Sequence, residues 1–202
     1  PNARPGIAAL RENARVRPGT AIGGQDIGFK FGPRLNAAGR LADPILTLQL
    51  LRARNPVDAR MLAGRIEQLN DERKAVERAV TEQAVAQARA VYGDDPTSGI
   101  VVAERGWHRG VVGISAARLV DRFGVPAVVI AVDDEGVGHG SGRTPDGYHL
   151  HDAFTACRGE LLKFGGHAMA AGLSMNEARL DALRAGFAAA TPRRDLNRPL
   201  PV

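Results

Sequence analysis

Gly99-Ile100-Val101-Val102-Ala103-Glu104 and, a helix's length later, Ala127-Val128-Val129-Ile130-Ala131-Val132 decide how this chain folds. Each is a short β-branched run without polar alternation, the pattern of a strand buried on both faces. Between them Val112, Ile114, Ala117, Leu119 and Val120 recur at helical spacing up to Gly124. Strand, helix, strand with a short return implies a right-handed parallel crossover, so the expected class is α/β.

Downstream, Asp133-Asp134-Glu135-Gly136 reads as a hairpin turn into a strand from Val137 to Arg143. Leu150 to about Leu162 reads as a helix, Ala168 to Met175 as a strand, and Asn176 caps a last helix reaching about Ala190. The expected sheet is mixed and largely parallel, flanked by helices. A tail of low apolar content follows over 192–202.

Upstream, Asn55-Pro56 opens a long helix, with Asn as N-cap, Pro at the first helical position and Asp58 suited to the positive helix end. Met61, Leu62, Ile66, Leu69, Val76 and Val80 continue its apolar spacing, so a strut is expected over 55–92. Before it, Pro1 to Gly32 alternates Pro, Gly and Arg with short apolar pieces, of which Ile7 to Arg11 suits a helical turn or two. Little core is found there. With its start at Pro1, this region is expected to be part of a larger body or to pack on something missing.

Composition sets bounds on function. The chain has 202 residues, 44% hydrophobic and 24% charged, with a net charge of +5. No apolar run approaches the roughly 20 residues that cross a bilayer, so a soluble cytoplasmic protein with no membrane partner is expected. Cys157 is alone, which leaves no disulfide framework and no thiolate metal cluster. The positive excess lies before residue 60 and is carried by arginine, whose planar fork matches phosphate; a G+C-rich coding sequence yields the same bias.

Four segments carry residue types suited to an anionic ligand. Gly32-Pro33-Arg34-Leu35-Asn36-Ala37-Ala38-Gly39-Arg40-Leu41 sets Arg34, Asn36 and Arg40 among small residues, as a basic loop or a ligand-contacting one. Glu104 to Gly113 is a loop leading into a helix, where unpaired N–H groups welcome a phosphate. In it His108 is the functional candidate, and Trp107 packs under the loop or stacks on a base. In Gly138-His139-Gly140-Ser141-Gly142-Arg143, Ser141 and Arg143 are two apart on an extended strand and share a face, a hydroxyl beside a guanidinium. Alternate glycines there expose the backbone; an ordinary glycine-rich edge strand reads the same way. Lys163-Phe164-Gly165-Gly166-His167 pairs glycines with a histidine, as an anion-binding concavity or a strand-entry turn.

Taken together, Gly32 to Leu41, Trp107-His108 with Gly110-Val111-Val112-Gly113-Ile114, Ser141-Gly142-Arg143 and Leu162 to Gly172 resemble, in order and spacing, the RecJ family. These are bacterial single-strand-specific exonucleases of the DHH phosphoesterase superfamily. The resemblance implies that residues 1–54 are the tail end of a DHH domain, 55–92 a linking helix, 97–191 a DHH-associated substrate-binding domain and 192–202 a tail. It implies a 5′ to 3′ single-stranded-DNA exonuclease of DNA repair and recombination, with Ser141 and Arg143 on the 5′ phosphate. Arg34, Asn36, Arg40, His108, Gly165, Gly166 and His167 are implied to line the path of the terminal nucleotide. Two divalent metals, Mn or Mg, are implied for the intact enzyme, held by a DHH domain whose Asp-His-His and Asp-x-Asp elements this chain lacks. This stretch is thus expected to hold no metal and to be inactive alone.

Single-stranded DNA is the implied partner, beside the DHH domain, an oligonucleotide-binding barrel and a helicase or single-strand-binding protein. Ala117, Thr144 and Arg109 depart from the family pattern at minor positions. Alternatives are a phosphodiesterase of short oligonucleotides or cyclic dinucleotides and a non-catalytic nucleic-acid-binding or docking module. A metal site from His139, His149, His151 and His167 is disfavoured, because His149 and His151 flank a helix start.

Overall fold

A computed structural model describes residues 4–17, 19–191 and 193. The tail expected over 192–202 lies outside these residues, Arg193 apart. The chain divides into two compact units, Pro1–Ala75 and Val76–Val202.

The first unit is helical. It holds α1 (Pro5–Asn13), a π-helical segment (Asp26–Phe31) that runs into α2 (Gly32–Leu41), α3 (Ile45–Arg52) and the start of α4 (Pro56–Tyr92). Leu10, Phe31, Leu50 and Ile66 form its core. The Gly32 to Leu41 segment is a helix, not a loop: Pro33 occupies its first turn and Ala37 and Ala38 are buried with Leu69. The Asn55 cap forms as expected, its Oδ1 accepting the Val57 N–H at 2.8 Å.

The second unit is a five-stranded sheet in the order β1-β2-β3-β5-β4: β1 (Ile100–Arg105), β2 (Ala127–Val132), β3 (Val137–Arg143), β4 (Lys163–Gly166) and β5 (Ala170–Asn176). The sheet is mixed, but the expected parallel majority is corrected. Only β1 and β2 run parallel, joined through α5 (Val112–Phe123); β2–β3, β3–β5 and β4–β5 are antiparallel. The physical reason is connection length, since the Asp133–Gly136 turn is too short for a crossover.

The helix expected from Leu150 to Leu162 ends early, as α6 (Leu150–Ala156) and a 3-10 turn, and the chain then enters β4. The final helix, α7, spans Leu180–Ala190. Odd and even strand positions separate into two cores. Ile100, Val102 and Val129 pack with Val112, Ala116 and Leu119 of α5 and with Val80, Ala84 and Ala88 of α4. Val101, Val128 and Ile130 pack with Leu150 and Phe154 of α6 and with Leu183 and Phe187 of α7.

The alternate glycines of β3 are explained by that second core. A Cβ at Gly138 would stand 2.8 Å from Ile130 Cγ2, and one at Gly142 would stand 2.6 Å from Leu150 Cδ2. They make room for apolar side chains and do not lay the backbone open, which corrects the sequence reading.

Candidate nucleic-acid-end site

In the second unit, strand register assembles the site. Val129, Ser141, Gly172 and Gly165 form one row across β2, β3, β5 and β4. In the adjacent row Arg143 pairs with Ala170, whose carbonyl accepts the His167 N–H at 2.8 Å. Ser141 and Arg143 thus lie two strand spacings, roughly 9–10 Å, from Gly165 and His167. Sharing the face of Val129, they lie under α5.

The start of α5 completes the arrangement. A Cβ at Gly113 would meet both Arg143 Nη2 and Ser141 Oγ at 3.0 Å, so the first turn of the helix abuts these side chains. Val111, its N-cap, contributes no side-chain hydrogen bond. The first turn of α5, at the positive end of the helix dipole, therefore lies beside the hydroxyl and the guanidinium. Arg143 Nη1 donates to Ser141 Oγ at 2.9 Å and to the Gly142 carbonyl at 2.6 Å, which fixes the plane of the fork. By accepting from Arg143, Ser141 keeps its own O–H to donate.

His108 lies in the loop before α5. Its Nδ1 accepts the Gly110 N–H at 3.0 Å, which leaves the proton on the exposed Nε2. Trp107 is a packing residue, buried with Nε1 donating to Gln83 Oε1 at 2.6 Å. Gly166 has φ +144, and a Cβ there would meet the Ala170 carbonyl oxygen at 2.5 Å, so the Gly-Gly-His turn admits only glycine at its second position.

The remaining candidates belong to the first unit. On α2, Asn36 and Arg40 are one turn apart on a shared face. Arg34 faces elsewhere: Nε donates to Glu67 Oε2 at 2.6 Å and Nη2 to Glu67 Oε1 at 3.0 Å. This carboxylate partner lies 33 residues away, and nothing local to Arg34 signals it. Among the other histidines, His149 Nδ1 accepts the Asp152 N–H as the cap of α6, and His139 pairs with Asp133 at 3.3 Å. Among the described residues no group of three or more His, Cys, Asp and Glu is placed to hold a metal ion.

Residues 97–190 match the DHHA1 domain model. The chain is 42% identical over 191 residues to the single-stranded-DNA-specific exonuclease RecJ of Dickeya dadantii, covering 92% of this chain and 33% of that protein. It is 41% identical over 161 residues to RecJ of Bacillus subtilis, covering 79% of this chain and 20% of that protein. The crystal structure of RecJ in complex with Mn2+ from Thermus thermophilus superposes with a TM-score of 0.81 at 30% identity, over 100% of this chain and 28% of that one. The chain spans a third or less of the length of these relatives.

Proposed function

We propose, from the match of residues 97–190 to the DHHA1 domain model and the likeness of the chain to part of RecJ exonucleases, that it is the substrate-gripping part of a 5′ to 3′ single-stranded-DNA exonuclease. In this reading Ser141, Arg143 and the first turn of α5 bind the 5′-terminal phosphate. The observation that carries it is the Arg143–Ser141 pair, held at 2.9 Å against the amide end of a helix. Such a site offers the three things a terminal phosphate takes up: a charged fork, a hydroxyl donor and backbone N–H groups.

The Gly165-Gly166-His167 turn and His108 border this position and contact the terminal nucleotide. Asn36, Arg40 and the N–H groups that Arg34 has left touch the backbone of the strand. An affinity built on such contacts falls steeply with salt.

RecJ of Thermus thermophilus has been crystallised with Mn2+ and with Mg2+. The described residues of this chain do not make a fitting ligand set for such ions. In this reading the metal centre and bond cleavage belong to a separate DHH domain, and the chain's own residues select and orient the strand end.

The experiment is Arg143→Ala in the full-length protein, read as the ratio of kcat/KM for 5′-phosphorylated over 5′-hydroxyl single strands. The ratio should fall about tenfold or more, the scale of one charge-assisted contact. An unchanged ratio would remove the phosphate assignment. Faster hydrolysis of dinucleotides than of long strands would reassign the protein to short-oligonucleotide turnover.

A further inference from the structure

We infer that Glu67 of α4 is the residue that aims Arg34 at the nucleic-acid strand, a positioning residue for substrate binding. This rests on the reading above, in which Arg34 touches the strand. A guanidinium has five N–H groups. Glu67 takes one from Nε at 2.6 Å and one from Nη2 at 3.0 Å, and the Lys30 carbonyl takes one from Nη1 at 2.8 Å. The two-point contact locks the plane of the fork, and the third bond holds its Nη1 end. Two N–H groups remain for an anion.

The electrostatics argue that orientation is what this carboxylate contributes. A carboxylate beside an arginine subtracts from its pull on a phosphate, so a site relying on charge alone would be better without Glu67. Asp71, one turn along α4, also feels Arg34: its carboxyl is held below the usual range first by its hydrogen bond from Lys74 and to a smaller extent by Arg34. A carboxylate thus engages an arginine that α2 presents on a different face from Asn36 and Arg40. Arg34 and Glu67 side chains are 16% and 27% exposed, sheltered enough for the pair to persist and open enough for a ligand to reach the fork. Lost orientation appears in substrate binding, because a freed arginine has to be re-ordered when the strand arrives.

The test is a double-variant cycle in the full-length protein with single-stranded DNA: Glu67→Gln, Arg34→Ala and the two combined, each read as KM and kcat. Glu67→Gln should raise KM about tenfold with little change in kcat, and the double variant should be no worse than Arg34→Ala. Additive effects, or tighter binding by Glu67→Gln, would overturn the inference. Should Glu67→Gln lower the unfolding midpoint, Glu67→Asp, which keeps the charge and withdraws the reach, is read in the same cycle with the same criteria. If Arg34→Ala itself leaves KM unchanged, the assignment of Arg34 to the strand fails; if Arg34→Ala raises KM and Glu67→Gln does not, the positioning role alone fails.

Discussion

Gln87 holds Ala103 by both of its backbone groups: Oε1 accepts the Ala103 N–H at 2.8 Å and Nε2 donates to its carbonyl at 2.9 Å. One turn or so further along α4, Tyr92 does the same for Val101 through a single hydroxyl, at 3.0 and 3.1 Å. β1 is an edge strand, and an open edge invites pairing with another chain. Two side chains of the long helix take the place of the missing neighbour. The long helix α4 is thereby fastened to the sheet by hydrogen bonds as well as by its apolar face.

Replacing Gln87 with Leu should leave both Ala103 groups without partners in a mostly buried place. A loss of about 1–3 kcal/mol is expected, measurable as a lower denaturation midpoint of the second unit. A second consequence is concentration-dependent self-association through β1, seen by light scattering.

The glycines of the site region separate into two kinds. Gly142→Ala puts a Cβ 2.6 Å from Leu150 Cδ2 and 3.0 Å from Phe154 Cζ, and overpacking of this sort costs about 1–3 kcal/mol. Gly172→Ala meets nothing nearer than the Gly140 carbonyl oxygen, at 3.7 Å. It should be neutral or stabilising by about 0.4–1 kcal/mol, because the unfolded chain loses freedom. Thermal unfolding of the two variants side by side checks the contrast.

Acid sensitivity is expected from the β2–β3 turn. The Asp133 carboxylate accepts the Val137 N–H at 2.8 Å, and this bond, with a smaller contribution from His139, holds its carboxyl below the usual range. A carboxyl depressed in the folded state adds stability above the unfolded value of about 3.9 and loses it as pH falls through the folded value. Asp133→Asn should therefore flatten the acid limb of a stability-against-pH curve. A wild-type acid slope retained in the variant would contradict this.

Much of the second unit was legible in the sequence because burial on both faces writes a continuous β-branched run, as in Ile100–Ala103 and Ala127–Val132. The hairpin at Asp133–Gly136 and the period-two relation of Ser141 to Arg143 were equally open to reading. β4 was not, because Lys163-Phe164-Gly165-Gly166 is too short and too rich in glycine to show a period, and its partner β5 supplies what its composition lacks. α2 was hidden for a related reason. Its buried positions are alanines, Ala37 and Ala38, so no large apolar residue marks the face that packs. The Arg34–Glu67 pair joins residues on separate helices, and nothing local to either announces the other. The parallel fraction was overestimated because a strand-helix-strand start fixes only its own pair of strands.

The proposed grip on the strand end requires a terminal phosphate sitting at the first turn of α5. With 15N-glycine labelling of the protein, the Gly113 amide should shift strongly when a 5′-phosphorylated single strand is added and little with the same strand ending in a 5′-hydroxyl. Equal shifts with both strands, or a Gly113 resonance that neither strand moves, would contradict it.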